Sequence, residues 1–335
     1  MAGRLERLRV KWRRHWLAAR EACRRPGVVA AARRAAPGLH RIVVPPRVLD
    51  TYEETAHGIA DGFAALGRAA LVECVDALDR LAPLKPGDRV IVFGAHRYEP
   101  WRPPAGVLLV GVNVEQYPPD WTPGGAVNPL MAKTDRFLAG CDLLLECNEC
   151  LLAESARRGR SAAGVLPFTW TPRFESGLAP LAEPPFDLAF LGRPAEGRRA
   201  LALRELGRRF RLAPTTVAWG ARRAEFLRSA RIQLNLHQGE APALESHRFA
   251  LCLANGAFVL SEPLPPEAPF RAGVHHVEAP LAEWGEVIAH WLARPAERAQ
   301  IAAAGRRFLR EEYAFPPALA KLLPLLDAAA TAKLR

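Results

Sequence analysis

The chain has 335 residues, half of them apolar and 24% charged. That balance excludes a largely disordered protein and leaves length for two hydrophobic cores. The formal net charge is +11, but residues 1–41 hold twelve Lys and Arg against two Glu and so carry +10 of it; the near-neutral body speaks against a nucleic-acid binder.

Six cysteines are too few for a disulfide framework in a chain of this size, so a reduced cytoplasm is expected. Cys147 and Cys150 have CxxC spacing without a second ligand pair, and small buried core residues are the expected role.

Taken in chain order, the first element is an arm. Leu5, Leu8, Trp12 and Trp16 recur at helical spacing with Arg4, Arg7, Lys11, Arg13 and Arg14 mostly on other faces, which predicts a basic amphipathic helix. It lacks the apolar h-region of a signal peptide, and no run of eighteen apolar residues predicts a spanning helix. Residues 1–36 are therefore a candidate contact for an anionic membrane surface, which would hold a cytoplasmic protein at the inner face of the membrane. Docking on the protein itself is the alternative.

The body opens with a strand at Arg41–Pro45, then a helix capped by Asp50 or Thr51 and ended by Gly67. The apolar spacing of Leu71–Leu81 predicts a second helix. Strands follow at Arg89–Gly94, Val107–Asn113, Asp142–Cys147 and Gly164–Phe168, with helices at Asn128–Leu138 and Glu149–Arg158 between them. Thr169–Pro185, rich in Pro, reads as a linker. The alternation then restarts, with strands at Asp187–Gly192, Thr215–Gly220, Ile232–His237 and Ala257–Glu262, and helices at Gly197–Phe210, Ala221–Ala230, Glu245–Asn255, Leu281–Leu292, Ala296–Glu312 and Pro317–Leu326.

The expected architecture is α/β: two Rossmann-like lobes whose parallel sheets face a cleft, preceded by the basic helix. The expected boundaries are 1–40 for the arm, 41–170 for the first lobe, 171–186 for the linker, 187–315 for the second lobe and 316–335 for a C-terminal helix.

Parallel sheets bind ligands beyond the carboxyl ends of their strands. In the second lobe, Gly192 and Arg193 with Arg198 and Arg199 combine a flexible turn, a helix N-terminus and forked donors suited to a diphosphate. His237, Glu245, Arg248 and Glu262 form the densest polar group; an i,i+3 ion pair between Glu245 and Arg248 is the plainer role for those two. No GxGxxG, Walker A or HExxH motif is present, and no Asp-x-Asp pair is there to hold a metal–diphosphate complex.

Asp187–Gly192 with Arg198 and Arg199, Val217–Gly220, Ile232–His237, Glu245-x-x-Arg248, Ala254–Ala257 and Val259–Glu262, in that order, resemble the nucleotide-sugar lobe of the two-lobed (GT-B) glycosyltransferases, most nearly the bacterial spore-maturation-type group. The resemblance implies a nucleoside-diphosphate sugar as co-substrate, no cofactor, and metal-independent departure of the diphosphate. It places Gly192, Arg193, Arg198 and Arg199 at phosphate, and Glu245, Arg248, Asn255 and Gly256 around nucleotide and sugar. One departure stands out: the two Glu that many retaining members carry are replaced here by Ala243 and Leu251.

The acceptor is expected at the first lobe. Its strand ends carry His96, Asn113, Glu115 and Gln116, with Tyr52, Glu53 and Glu54 at a helix start; Glu115 or His96 could take the acceptor proton. The expected function is sugar transfer from a nucleotide sugar. A non-catalytic two-lobed scaffold and a nucleotide-sugar epimerase are the alternatives.

Overall fold

The computed structural model describes residues 25–117, 129–192, 197–215, 218 and 220–335. These fall into two compact units. One is built from the chain up to Cys147 together with Leu151–Leu166 and Ala318–Arg335; the other is built from Asn148–Cys150 together with Pro167–Pro317. Most of the basic arm lies outside the described residues; its last part, 25–34, is helical (α1). No helix among the described residues is long and apolar enough to cross a membrane.

The first unit is a six-stranded parallel sheet in the order β2-β1-β3-β4-β5-β6. Its strands are β1 (His40–Val44), β2 (Ala70–Cys74), β3 (Arg89–Val92), β4 (Leu108–Asn113), β5 (Leu143–Glu146) and β6 (Gly164–Val165), joined by α2 (Leu49–Ala65), α3 (Pro129–Leu138) and α4 (Glu149–Arg157). The central strands are buried along their whole length, as uninterrupted Val/Ile/Leu runs require when both sheet faces are covered. The chain runs from β1 outward to β2 and returns to β3 on the opposite side of β1. This reversal opens a crevice at the carboxyl ends of β1 and β3.

The helix predicted over Leu71–Leu81 is absent. Residues 70–74 form β2, in register with β1 from His40 opposite Ala70 to Val44 opposite Cys74, and a short 3-10 turn covers Leu78–Arg80. Tertiary pairing decides this segment: Glu73 accepts from Arg41 Nη1 at 2.8 Å, so the strand brings a carboxylate to a fully buried guanidinium. The helix predicted to be capped by Asp50 or Thr51 begins at Leu49, directly after a 3-10 turn at Pro46–Val48, without a side-chain cap.

The second unit is a four-stranded parallel sheet in the order β10-β9-β8-β7. Its strands are β7 (Phe186–Ala189), β8 (Ala230–Asn235), β9 (Val259–Ser261) and β10 (Val277–Glu278); its helices are α5 (Arg198–Arg209), α6 (Ala221–Arg228), α7 (Ser246–Ala254), α8 (Trp284–Leu292) and α9 (Pro295–Glu311). The two-residue β10 carries no sequence signal. The strand predicted at Thr215–Gly220 lies partly outside the described residues. A parallel bridge between Leu188 and Leu212 sits on β7, which also pairs with β8, so the chain reverses around β7 and a second crevice opens at the carboxyl ends of β7 and β8.

The Pro-rich stretch expected as a linker starts inside this unit. Thr171 caps a 3-10 turn at Pro172–Phe174, and Phe174 is buried in its core. The C-terminal helix α10 (Phe315–Lys333) runs past the periodic stretch Pro317–Leu326, fills the expected C-terminal segment and accommodates Pro324; from Ala318 onward it belongs to the first unit, where Asp327 pairs with Arg89 at 2.6 Å.

Gly305 lets α9 approach its neighbours. A Cβ there would lie 2.6 Å from the carbonyl oxygen of His275 and 2.9 Å from Leu253 Cδ2. Gly305→Ala is expected to lower stability by about 1–3 kcal/mol through overpacking, read as a reduced Tm.

Candidate functional site

The reversal in the second unit gathers most of the polar residues singled out in that half of the sequence. α5 starts after Gly197 (φ +92°) and α7 after Glu245, neither with a side-chain cap, so each presents first-turn N–H groups of the kind that bind anions. Arg199 reaches from α5: its Nε donates to the Leu236 carbonyl at 2.9 Å and its Nη2 to Glu245 Oε1 at 2.9 Å. Arg248 reaches from α7: its Nε donates to the Leu191 carbonyl and its Nη1 to Asn235 Oδ1, both at 2.8 Å. Both guanidinium groups lie over the Phe190 ring, at 5.6 and 4.7 Å from its centre. Gly192 leaves room for this, since a Cβ there would sit 3.2 Å from Arg248 Nη2 and 3.1 Å from the Phe190 ring.

Two carboxylates hold this cluster in place. Glu262, directly after β9, takes a forked ion pair from Arg198, with 2.8 Å on one arm, and also accepts the His237 backbone N–H at 2.8 Å. Glu245 accepts from Arg199, from Asn235 Nδ2 at 3.2 Å and from His237 Nδ1 at 3.1 Å. Burial pushes Glu245 up, but the His237 hydrogen bond and the charges of Arg248 and Arg199 outweigh it and hold this carboxyl below its usual range. Three guanidinium groups thus meet the carboxylates of Glu245 and Glu262, with the charge of Glu240 also felt at Arg198. Arg248 comes no closer than 3.9 Å to Glu245, so its charge is the least compensated and is suited to an anion.

The remaining expected residues fall elsewhere. Arg193 lies outside the described residues. Asn255 and Gly256 end α7, at the opposite end from Glu245 and Arg248. Asn255 ties down the segment before β7, donating to the Phe174 carbonyl at 2.8 Å and accepting from Ser176 N–H at 3.1 Å, and Gly256 has φ +66°. Nine residues of helix separate Asn255 from Glu245, and six separate it from Arg248. Two members were not anticipated from sequence: Phe190, the platform for both guanidiniums, and Asn235, which donates to Ser261 at the end of the neighbouring strand at 2.9 Å. Asn235 was detectable, since it stands two residues before His237 on the same face of a predicted strand.

In the first unit, His96 follows β3 and Glu115 follows β4. The His96 Nδ1 lies 3.5 Å from Glu115 Oε1. Burial, then the charges of Arg97 and Lys133, bring His96 down to about 4, so it is neutral at pH 7; burial pushes Glu115 up despite Arg97. Asn113 shapes the turn between them: its Oδ1 accepts the Glu115 N–H at 3.1 Å, and its Nδ2 donates to the Glu115 carbonyl at 3.2 Å and to Glu146 Oε2 at 2.8 Å. Glu146 also accepts from the Tyr117 hydroxyl at 2.5 Å, and burial pushes it up to about 7 against those hydrogen bonds. Glu146, not expected from the sequence, ends β5 beside the Asn113 that ends β4. Tyr52, on α2, belongs to the same group: burial and then Glu115 raise its phenol.

Residues 196–323, less than half of the chain, match the model of the Glycosyl transferase-like family. No match is found among curated proteins. Solved structures are similar over most of their length. A glycosyltransferase from Rickettsia africae aligns with a TM-score of 0.59 at 9% identity, over 88% of this chain and 99% of its own. AviGT4, a glycosyltransferase involved in avilamycin A biosynthesis, aligns with a TM-score of 0.57 at 15% identity, over 88% and 99%. HepE of Anabaena in complex with UDP-glucose aligns with a TM-score of 0.54 at 11% identity, over 87% and 99%. The fold is therefore that of the GT-B glycosyltransferases, as expected, and the second unit carries a glycosyl transferase-like domain.

Proposed function

We propose that this protein, whose second unit carries a glycosyl transferase-like domain, transfers a sugar from a nucleoside-diphosphate sugar to an acceptor hydroxyl. The observation that carries the reading is the convergence of Arg198, Arg199 and Arg248 at the β7/β8 crevice of that domain, beside two uncapped helix N-termini. As the bond between the sugar and the diphosphate breaks, negative charge grows on the leaving phosphate. Fixed guanidiniums and helix N–H groups stabilise that charge without reorganising, which is also the task a metal would perform. HepE binds UDP-glucose, so uridine donors are the first to try. Hydrolysis or transfer with a panel of nucleotide sugars tests the reading, and failure to bind any of them overturns it.

The acceptor belongs with His96 and Glu115 in the first unit, one of which removes its proton. Glu115→Gln is expected to lower kcat by about 10²–10⁴-fold, the usual weight of a general base, with little change in UDP affinity. In the wild type, activity should fall on acidification through the raised Glu115 pKa, because the base must be unprotonated; that limb should move in the variant. Equal activity in both would remove Glu115 from the chemistry.

The basic arm brings the enzyme to an anionic membrane surface bearing its acceptor. Deleting residues 2–24 keeps α1, which is anchored where Lys85 Nζ donates to the carbonyls of Arg33 and Ala35. The deletion is expected to abolish sedimentation with vesicles containing phosphatidylglycerol and to leave UDP binding intact. Undiminished sedimentation would refute the arm's role.

A further inference from the structure

Both ring nitrogens of His237 face acceptors. Nε2 lies 3.0 Å from the Pro263 carbonyl oxygen and Nδ1 lies 3.1 Å from Glu245 Oε2. A carbonyl only accepts, so Nε2 carries hydrogen. Glu245 Oε2 also receives Asn235 Nδ2, and Oε1 receives Arg199 Nη2, as suits an ionised carboxylate. An ionised carboxylate only accepts as well, so Nδ1 must donate too. A neutral imidazole has one donor; the protonated ring has two.

We propose that His237 is an imidazolium at neutral pH and a positioning residue of the donor site, fixing the Glu245 carboxylate that in turn holds Arg199 and, with Asn235, Arg248. The proposal rests on the donor-site reading above. The ring is 2% exposed, so its charge is not dispersed into bulk water. The groups facing it come from every neighbouring element: Glu245 and Arg248 at the start of α7, Asn235 on β8, Arg198 and Arg199 on α5, and Glu262 after β9. Arg198 Nη1 lies 3.4 Å from the His237 carbonyl. Burial lowers the His237 pKa, but the hydrogen bond and charge of Glu245, then the Pro263 carbonyl and Glu262, outweigh it, and the net shift is upward from 6.5. The cationic ring is present below the raised pKa; as pH rises through it the ring keeps one N–H and gives up either the Glu245 or the Pro263 contact. The positive charge beside Glu245 is lost with it, the support of Arg199 and Arg248 loosens, and affinity for an anionic ligand falls.

The test uses the full chain with 15N-labelled histidine, the His237 signals being assigned by their loss in His237→Gln. Imidazolium shifts on both ring nitrogens at pH 7, titrating above 6.5 and moving down in Glu245→Gln, are expected; a neutral ring at pH 7, in either tautomer, overturns the proposal. UDP titration calorimetry gives the second readout. Affinity should weaken about tenfold from pH 7 to pH 9 in the wild type, the weight of one charge-assisted contact, and stay flat in His237→Gln. An equal decline in both proteins overturns the positioning role. If UDP binds at no pH, the donor reading fails together with that role, while the NMR signals decide the charge state separately.

Discussion

Arg248→Ala is expected to weaken UDP binding by about 10- to 100-fold, the effect of losing one or two hydrogen bonds from a charged group. The guanidinium is fixed by the Leu191 carbonyl, by Asn235 and by the face of Phe190, so it meets an incoming phosphate without giving up side-chain freedom at that moment. Arg248→Lys should restore little, because a single ammonium cannot satisfy the Leu191 carbonyl and Asn235 in the planar fork that Arg uses. Arg222→Ala, an exposed arginine on α6, controls for general loss of positive charge and should leave UDP affinity unchanged. Because Arg248→Ala also strips two buried acceptors of their donor, calorimetry belongs below the variant's Tm. A folded variant with wild-type affinity would disprove the phosphate role.

The largest effect on stability is expected in the first unit. Arg41 is fully buried in β1; it donates to Glu73 at 2.8 Å and to the carbonyls of Ala82 and Pro83 at 2.7 and 2.6 Å, and its Nε lies 3.2 Å from Asp88 Oδ2. Asp88 in turn accepts the backbone N–H groups of Leu39 at 3.1 Å and Lys85 at 3.1 Å. Burial pushes the Glu73 carboxyl up even beside Arg41, so the pair is a weak net source of stability. Removing Glu73 is another matter, since it leaves the buried Arg41 with Asp88 as its remaining carboxylate and strips the Ala82 N–H of its acceptor. Glu73→Ala should therefore destabilise the protein by about 3–5 kcal/mol, measured by urea denaturation. Glu73→Gln, which keeps an acceptor for the Ala82 N–H, should be milder. A loss below about 1 kcal/mol for Glu73→Ala would mean that water reaches Arg41.

Much of the candidate site in the second unit was legible because it follows from topology. Strand ends are recognisable from where apolar runs stop, and in parallel sheets ligands gather there. On that rule the sequence pointed to Arg198, Arg199, His237, Glu245, Arg248 and Glu262, and the fold brings these six together. The same rule, applied without exception, would also have included Glu146. Asn255 and Gly256 came instead from resemblance in a linear motif, and a helix carries the two ends of such a motif apart at 1.5 Å per residue.

By itself the sequence determined the α/β class, nearly every strand and helix, and the split between a basic arm and a neutral body, since apolar periodicity and charge are local properties. Tertiary structure alone decided three things. It made residues 70–74 a strand, because β1 offered an unpaired edge and Arg41 a buried charge. It assigned the end of α10 to the first unit. And it turned a set of arginines into a site: the sequence places Arg198, Arg199 and Arg248 at helix starts, but their directions are set by Glu262, Glu245 and Phe190, which come from distant parts of the chain. Ion pairing and ring stacking require proximity in space, and folding supplies it.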